Sequence, residues 1–262
     1  MGQKIGNRPE LRGAFVGQHH QVSNLTTELS IEREVRQAFR SQEYSSFTFL
    51  PHAKTTEVAI VEQPRIPQAG TALVLNDMIN ANLRTKDPVH DQLIEQSGII
   101  KNSVGLVAAL RERRVPIIWI RVERRPDHAD VLTPLTDVYL ASGRKGHPVI
   151  VRGSYEAANV EELPVQPEDQ IILKPRMNPF IGTDLDLHLR NRKITTILLG
   201  GYSTNFGVES GVRTARDLGY DVVVVRDCCY NVNTQFHEWS LANIMPHFAR
   251  VLTSAEALRL LA

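Results

Sequence analysis

Residues 195–227 read TTILLGGYSTNFGVESGVRTARDLGYDVVVVRD, and this stretch decides the fold. An apolar run ends in two glycines, a polar turn YSTN follows, and from Gly207 to Leu218 the pattern is helical before DVVVV opens a second apolar run. A strand, a tight turn, a helix and a strand in that order form a crossover unit of a parallel sheet, since parallel neighbours cannot be joined by a hairpin. Both strands are continuous in apolar character rather than alternating, as strands covered on both faces are.

The same alternation extends outward in both directions. Further apolar runs are TALVLND (71–77), VPIIWIRV (115–122), QIILKP (170–175) and RVLTS (250–254), which with 195–201 and 221–227 make six strands. Between them, Ile94, Ile99, Ile100, Val104, Val107 and Leu110 recur at near-helical spacing, and helical stretches run from Asp184 to Asn191 and from Phe236 to Phe248. The expectation is an α/β domain over 66–262: a doubly wound, Rossmann-like, six-stranded parallel sheet with helices on both faces. Residues 1–65 are polar, contain the His19-His20 pair and show one helical stretch, roughly Leu29 to Arg40, so they read as an N-terminal extension or arm.

Composition narrows the function. Lysine and arginine total 30 against 29 acids, a formal charge of +1 over 262 residues, which gives no electrostatic reason to expect nucleic acid or an anionic membrane as partner. A small-molecule substrate is the expectation. The only cysteines, Cys228 and Cys229, are chain neighbours, too close for an unstrained disulfide, and read as reduced thiols of a cytoplasmic protein. The opening MGQKIGNRPELRGAF has no apolar core of a signal peptide, Gly6 stands where a myristoylation motif needs Ser or Thr, and no apolar run approaches the roughly 20 residues of a membrane span. The sequon at Asn24 is read as an accident of composition.

In doubly wound sheets the chemistry lies outside the carboxyl ends of the strands. The first strand ends in Asn76 and Asp77. Such an acid is either a structural cap or, if partly desolvated, a group able to give or take a proton near neutral pH. The third strand ends at Lys174, which either reaches solvent or leans over Asp77 as a charge partner. The turn after the fourth strand offers close backbone approach at Gly200 and Gly201, capping side chains on Ser203, Thr204 and Asn205, and the N–H groups of a helix start, an end suited to anions. After the second strand, RVERRPDHAD (121–130) is either a solvated loop or the source of a carboxylate clamp, for which Arg125 is the preferred candidate over Arg121 and Arg124. GYSTN lacks the final glycine of a G-x-S-x-G elbow, and neither G-x-G-x-x-G nor a P-loop occurs, so neither a serine hydrolase nor a nucleotide cofactor is expected. His237 and His247, ten apart, do not share a metal on one helical face and read as structural. Cys228 and Cys229 have no neighbouring histidine to activate them and read as packing residues.

Taken in order, TALVLNDMIN, RVERRPDHAD, ILKPRMNPFIGTDLD and GGYSTNFGVESGVRTARDLGYDVVVVRDCCYNVN resemble the isochorismatase-like hydrolases, the cysteine hydrolase superfamily, over about residues 68–260. The resemblance implies catalytic roles for Asp77 and Lys174 and places the family's nucleophilic cysteine at position 207, where this chain has Gly207. True isochorismatases are similar in carrying glycine there and cleave a vinyl ether with an aspartic acid and water, but they typically carry a histidine two residues earlier, where this chain has Asn205. The following Val208, Glu209 and Ser210 look more like the amide-cleaving branch, near the ureidoacrylate and biuret hydrolases. The resemblance further implies a cis peptide between Tyr202 and Ser203, with Ser203 and Gly207 amides forming an oxyanion hole, and Tyr202, Ser203 and Asn205 at the substrate. Ile79 stands where the metal-dependent branch has histidine, so no catalytic metal and no cofactor are expected. A homodimer or homotetramer is implied. Gly207 itself is expected to leave room for water or a substrate group.

Overall fold

The structure is a computed structural model, and it describes residues 63–131 and 150–262. The expected arm, its helical stretch and the His19-His20 pair therefore lie outside the described residues. Near the start of the described chain, Ile66 pairs with Leu261, and its N–H donates to the Leu260 carbonyl at 2.9 Å, so residues beside the two ends of this domain are bonded together.

Six strands are present: β1 Thr71–Asn76, β2 Ile117–Val122, β3 Gln170–Lys174, β4 Thr196–Tyr202, β5 Asp221–Tyr230 and β6 Arg250–Leu252. All neighbours are parallel, in the order β3-β2-β1-β4-β5-β6, which is the doubly wound Rossmann order. Side-chain alternation divides the interior into two layers. Leu73, Leu75, Ile117, Trp119, Val223 and Val225 pack on one face, while Ala72, Val74, Ile118, Ile120, Val222 and Val224 pack on the other. The first layer is covered by α1 (Pro88–Ser97), α2 (Ile99–Glu112) and the C-terminal helix (Ser254–Leu260); the second by α3 (Leu185–Asn191) and α4 (Glu209–Asp217). Among the described residues no helix is long and apolar enough to cross a membrane.

Three details depart from the sequence expectation. The periodic stretch from Ile94 to Leu110 is two helices, broken at Gly98, whose φ of 71° ends α1 in the left-handed region that glycine tolerates. The expected helix from Phe236 to Phe248 is a short α-helix, Thr234–Trp239, then a π-helical turn, Ser240–Ile244, then a 3-10 turn, Met245–His247. Pro246 has no N–H to continue an α-helical ladder. Finally, β5 runs on through Cys228, Cys229 and Tyr230, because after a register shift between Leu199 and Gly201 the end of β4 pairs again with Cys229 and Tyr230.

Candidate active site

The order of the strands reverses beside β1: the chain winds outward through β2 and β3, then returns to the other side with β4. Ligands of doubly wound sheets sit at that switch point, outside the carboxyl ends of the two inner strands. Here those ends are Asn76-Asp77 on β1 and Gly201-Tyr202 on β4, paired at Asn76↔Gly201.

Asp77 continues the ladder through its N–H, which donates to Ile120 at 2.8 Å, but its φ of 52° turns the chain away immediately afterwards. Aspartate is among the few residues with a side chain that adopt this region readily, and the Asn82 side chain secures the turn by donating to the Asp77 carbonyl at 3.0 Å. The sequence left open whether Asp77 is a helix cap. Among the described residues it caps no helix: the helical turn Asn80–Leu83 begins at Ile79 with no side-chain cap. Instead its carboxylate is buried and meets Lys174, whose Nζ lies 2.6 Å from Asp77 Oδ2 with the two side chains only 3% and 8% exposed. Lys174 therefore does not reach solvent. Strand register brings it there, since β3 places Lys174 beside Val122 on β2, and the Val122 N–H donates to Asp77 Oδ1 at 2.8 Å. The ammonium also donates to the Met177 carbonyl at 2.9 Å.

A residue not selected from the sequence completes this group. Asn76 is fully buried, and its Nδ2 donates to Asp77 Oδ2 at 3.0 Å and to the Tyr202 carbonyl. Asp77 thus accepts hydrogen bonds on both oxygens, from a backbone amide, a carboxamide and an ammonium. Donors on every side fix the orientation of the carboxyl group. The signal available in the sequence was a polar amide ending an otherwise apolar strand, which burial must satisfy.

The turn after β4 is built as its residues imply. Gly201 has a φ of 118°, and a Cβ there would overlap the Asn76 backbone. The Tyr202-Ser203 peptide is cis. Thr204–Val208 form a π-helical turn that leads into α4. Ser203 Oγ accepts from Asn231, and buried Thr204 meets Nδ1 of His237 at 2.7 Å. His237, read from the sequence as structural, is tied to the signature turn itself. Asn205 Oδ1 is buried without a hydrogen-bond partner among the described residues. Tyr202 presents its carbonyl to Asn76, while its ring packs 6.2 Å from that of Tyr230.

Two expectations are corrected. Gly207 does not leave a gap: a Cβ built there would lie 2.5 Å from Asn76 Nδ2 and 3.2 Å from Lys174 Nζ, so the volume is already filled. Arg125 is not poised as a clamp, because its exposed guanidinium is taken up by Asp127, with the Nε–Oδ1 contact at 2.8 Å. Arg124 is the better placed neighbour. It donates to the Pro175 carbonyl at 2.6 Å, the residue after Lys174, and Arg176 donates to the same oxygen at 2.7 Å. Neither guanidinium has a carboxylate partner among the described residues.

Cys228 and Cys229 are both buried. Burial pushes both thiols upward, Cys229 to about 12, so neither supplies a thiolate at neutral pH. Among the described residues no cluster of three or more His, Cys, Asp or Glu is arranged to hold a metal.

The isochorismatase domain family matches residues 71–256. The isochorismatase family protein YwoC of Bacillus subtilis is 37% identical over 63% of this chain and 85% of its own. The ureidoacrylate amidohydrolase RutB of Methylobacterium radiotolerans is 28% identical over 70% of this chain and 76% of its own. Among solved structures, an isochorismatase family protein from Burkholderia thailandensis superposes with a TM-score of 0.65 at 32% identity, covering 76% of this chain and 98% of that one.

Proposed function

The chain belongs to the isochorismatase family, a family of hydrolases, and from that premise we propose that it hydrolyses a small carboxylate-bearing molecule by direct attack of water, without a cofactor and without a covalent intermediate. Asp77 is the base. It takes a proton from the attacking water and passes it to the leaving group, while Lys174 holds the carboxylate and offsets negative charge developing beside it. The backbone amides at the turn, Ser203 and Gly207, face the oxyanion or leaving oxygen. Arg124, with Arg176 beside it, takes the substrate carboxylate, because a guanidinium beside the site with no carboxylate partner among the described residues suits bidentate recognition. Ser203 Oγ and Asn205 Oδ1 supply the remaining polar contacts.

The observation that carries this reading is the buried 2.6 Å pair of Lys174 and Asp77 beside a position that offers no nucleophile. A covalent acyl transfer needs an activated thiol, and the two native thiols are buried and protonated. The similarity to RutB directs attention to ureido and carbamoyl amides, and the glycine at 207 to vinyl ethers such as isochorismate. The test is a panel of isochorismate and small ureido, carbamoyl and amide carboxylates, run before and after exhaustive treatment with iodoacetamide. At least one substrate should be turned over, with a rate unchanged by alkylation. Loss of that rate on alkylation would place a thiol in the reaction and contradict the proposal.

A second reading, that the protein binds such a ligand without converting it, is favoured by the full engagement of both Asp77 oxygens. Calorimetric titration with the same panel separates the two: binding heats without product formation support the binding protein.

A further inference from the structure

The absence of a side chain at position 207 has a structural counterpart on the facing strand. Asn76 projects from β1 into the space where a residue at 207 would place its Cβ, with Nδ2 only 2.5 Å from that point and Cγ 3.3 Å from it. A flexible group could swing aside at little cost. Asn76 cannot, because it is fully buried and both hydrogens of its Nδ2 are committed, one to Asp77 Oδ2 and one to the Tyr202 carbonyl. Those two acceptors also fix which end of the amide is nitrogen. Displacing Asn76 would leave the Tyr202 carbonyl and one Asp77 interaction unsatisfied inside the protein, which is the costly outcome for buried polar groups.

We propose that Asn76 and Gly207 form a matched pair that commits this site to water as its nucleophile. The Asn76 carboxamide fills the place of a nucleophilic side chain and, as a positioning residue, holds the Asp77 carboxylate against Lys174. This deepens the preceding proposal and rests on its reading of Asp77 and Lys174 as the reacting pair. The Asn76 Oδ1 atom, buried and accepting from no group among the described residues, leaves the carboxamide one acceptor for an O–H or N–H group, the chemistry of the attacking water. It follows that a thiol introduced at 207 alone does not recreate a cysteine hydrolase; Asn76 must be removed with it.

The test needs no substrate, so its failure is distinct from failure of the hydrolase reading. Gly207→Ala and Gly207→Cys are each made in the native background and in Asn76→Ala and Asn76→Ser backgrounds, whose side chains are too short to reach the 207 Cβ. In the native background, either substitution should lower the melting temperature by about 5 °C or more. In the Asn76 variants the same substitution should cost less than half as much. The second readout is alkylation of the new thiol by iodoacetamide between pH 5.5 and 8.5, with the buried native thiols silent. A cysteine at 207 freed of Asn76 would sit beside the Lys174 ammonium, whose Nζ is 3.2 Å from the Cβ position, and a nearby cation favours the thiolate. Its alkylation should therefore stay fast at least one pH unit lower than in Gly207→Cys alone. Equal melting shifts in all backgrounds, or identical pH profiles with and without Asn76, would overturn the proposal. If Asn76→Ala does not fold, the Asn76→Ser series decides by the same criteria.

Discussion

At the scale of single residues, the site is a buried ion pair kept tolerable by the donors around it. Taking two charges out of water is expensive, and the cost is offset only where geometry and further hydrogen bonds are good, as they are for Asp77 and Lys174. Removing one member is therefore predicted to be worse than removing both. Lys174→Met should destabilise the protein by about 3–5 kcal/mol in urea denaturation, and Asp77→Asn combined with Lys174→Met by clearly less. Additive losses would show that the pair is not coupled. Asp77 and Lys174 were legible in the sequence because an ionisable residue closing an apolar strand stands out against its neighbours. Asn76 was not, since its meaning depends on Gly207 and Tyr202, which lie far along the chain and meet it only across the β1–β4 pairing. Arg125 was preferred over Arg124 because sequence cannot show that Asp127, two residues on, already occupies it.

At the scale of elements, the turn between β4 and α4 is tied down at three points. Its start is fixed by Gly201, its middle by Thr204 against His237, and its hydroxyl at Ser203 by Asn231. Burial holds His237 below the ordinary histidine value of 6.5, with Glu238 opposing and Arg226 adding to the effect. The unfolded chain then takes up a proton that the native protein resists, so the stability contributed by neutral His237 is present above pH about 6.5 and is lost as pH falls. The melting temperature should drop between pH 7.5 and pH 5.5, and drop less in His237→Gln. An equal or larger acid drop in that variant would show that His237 does not carry the effect. The strand-turn-helix sequence of this region was legible because glycines, capping residues and helical periodicity are local signals. The π-helical turn and the extension of β5 were not, since the latter exists only through its pairing with Gly201 and Tyr202.

For the whole molecule, six apolar runs separated by amphipathic stretches were enough to indicate a doubly wound parallel sheet, because strands covered on both faces and right-handed crossovers leave few alternatives. Strand order was not written in any one run. It follows from how the crossovers pack, and it is what puts Asp77, Lys174 and the Gly207 turn on one edge: β1 and β4 meet at the switch point and β3 reaches it across β2. In the proposed function, this edge performs hydrolysis through the carboxylate of Asp77. The most direct test is the turnover of Asp77→Asn against the native protein on whichever panel substrate is converted, with circular dichroism confirming the fold. The variant should lose at least about 100-fold in kcat, in line with the loss of a general base. A variant that folds and turns over at the native rate would contradict it.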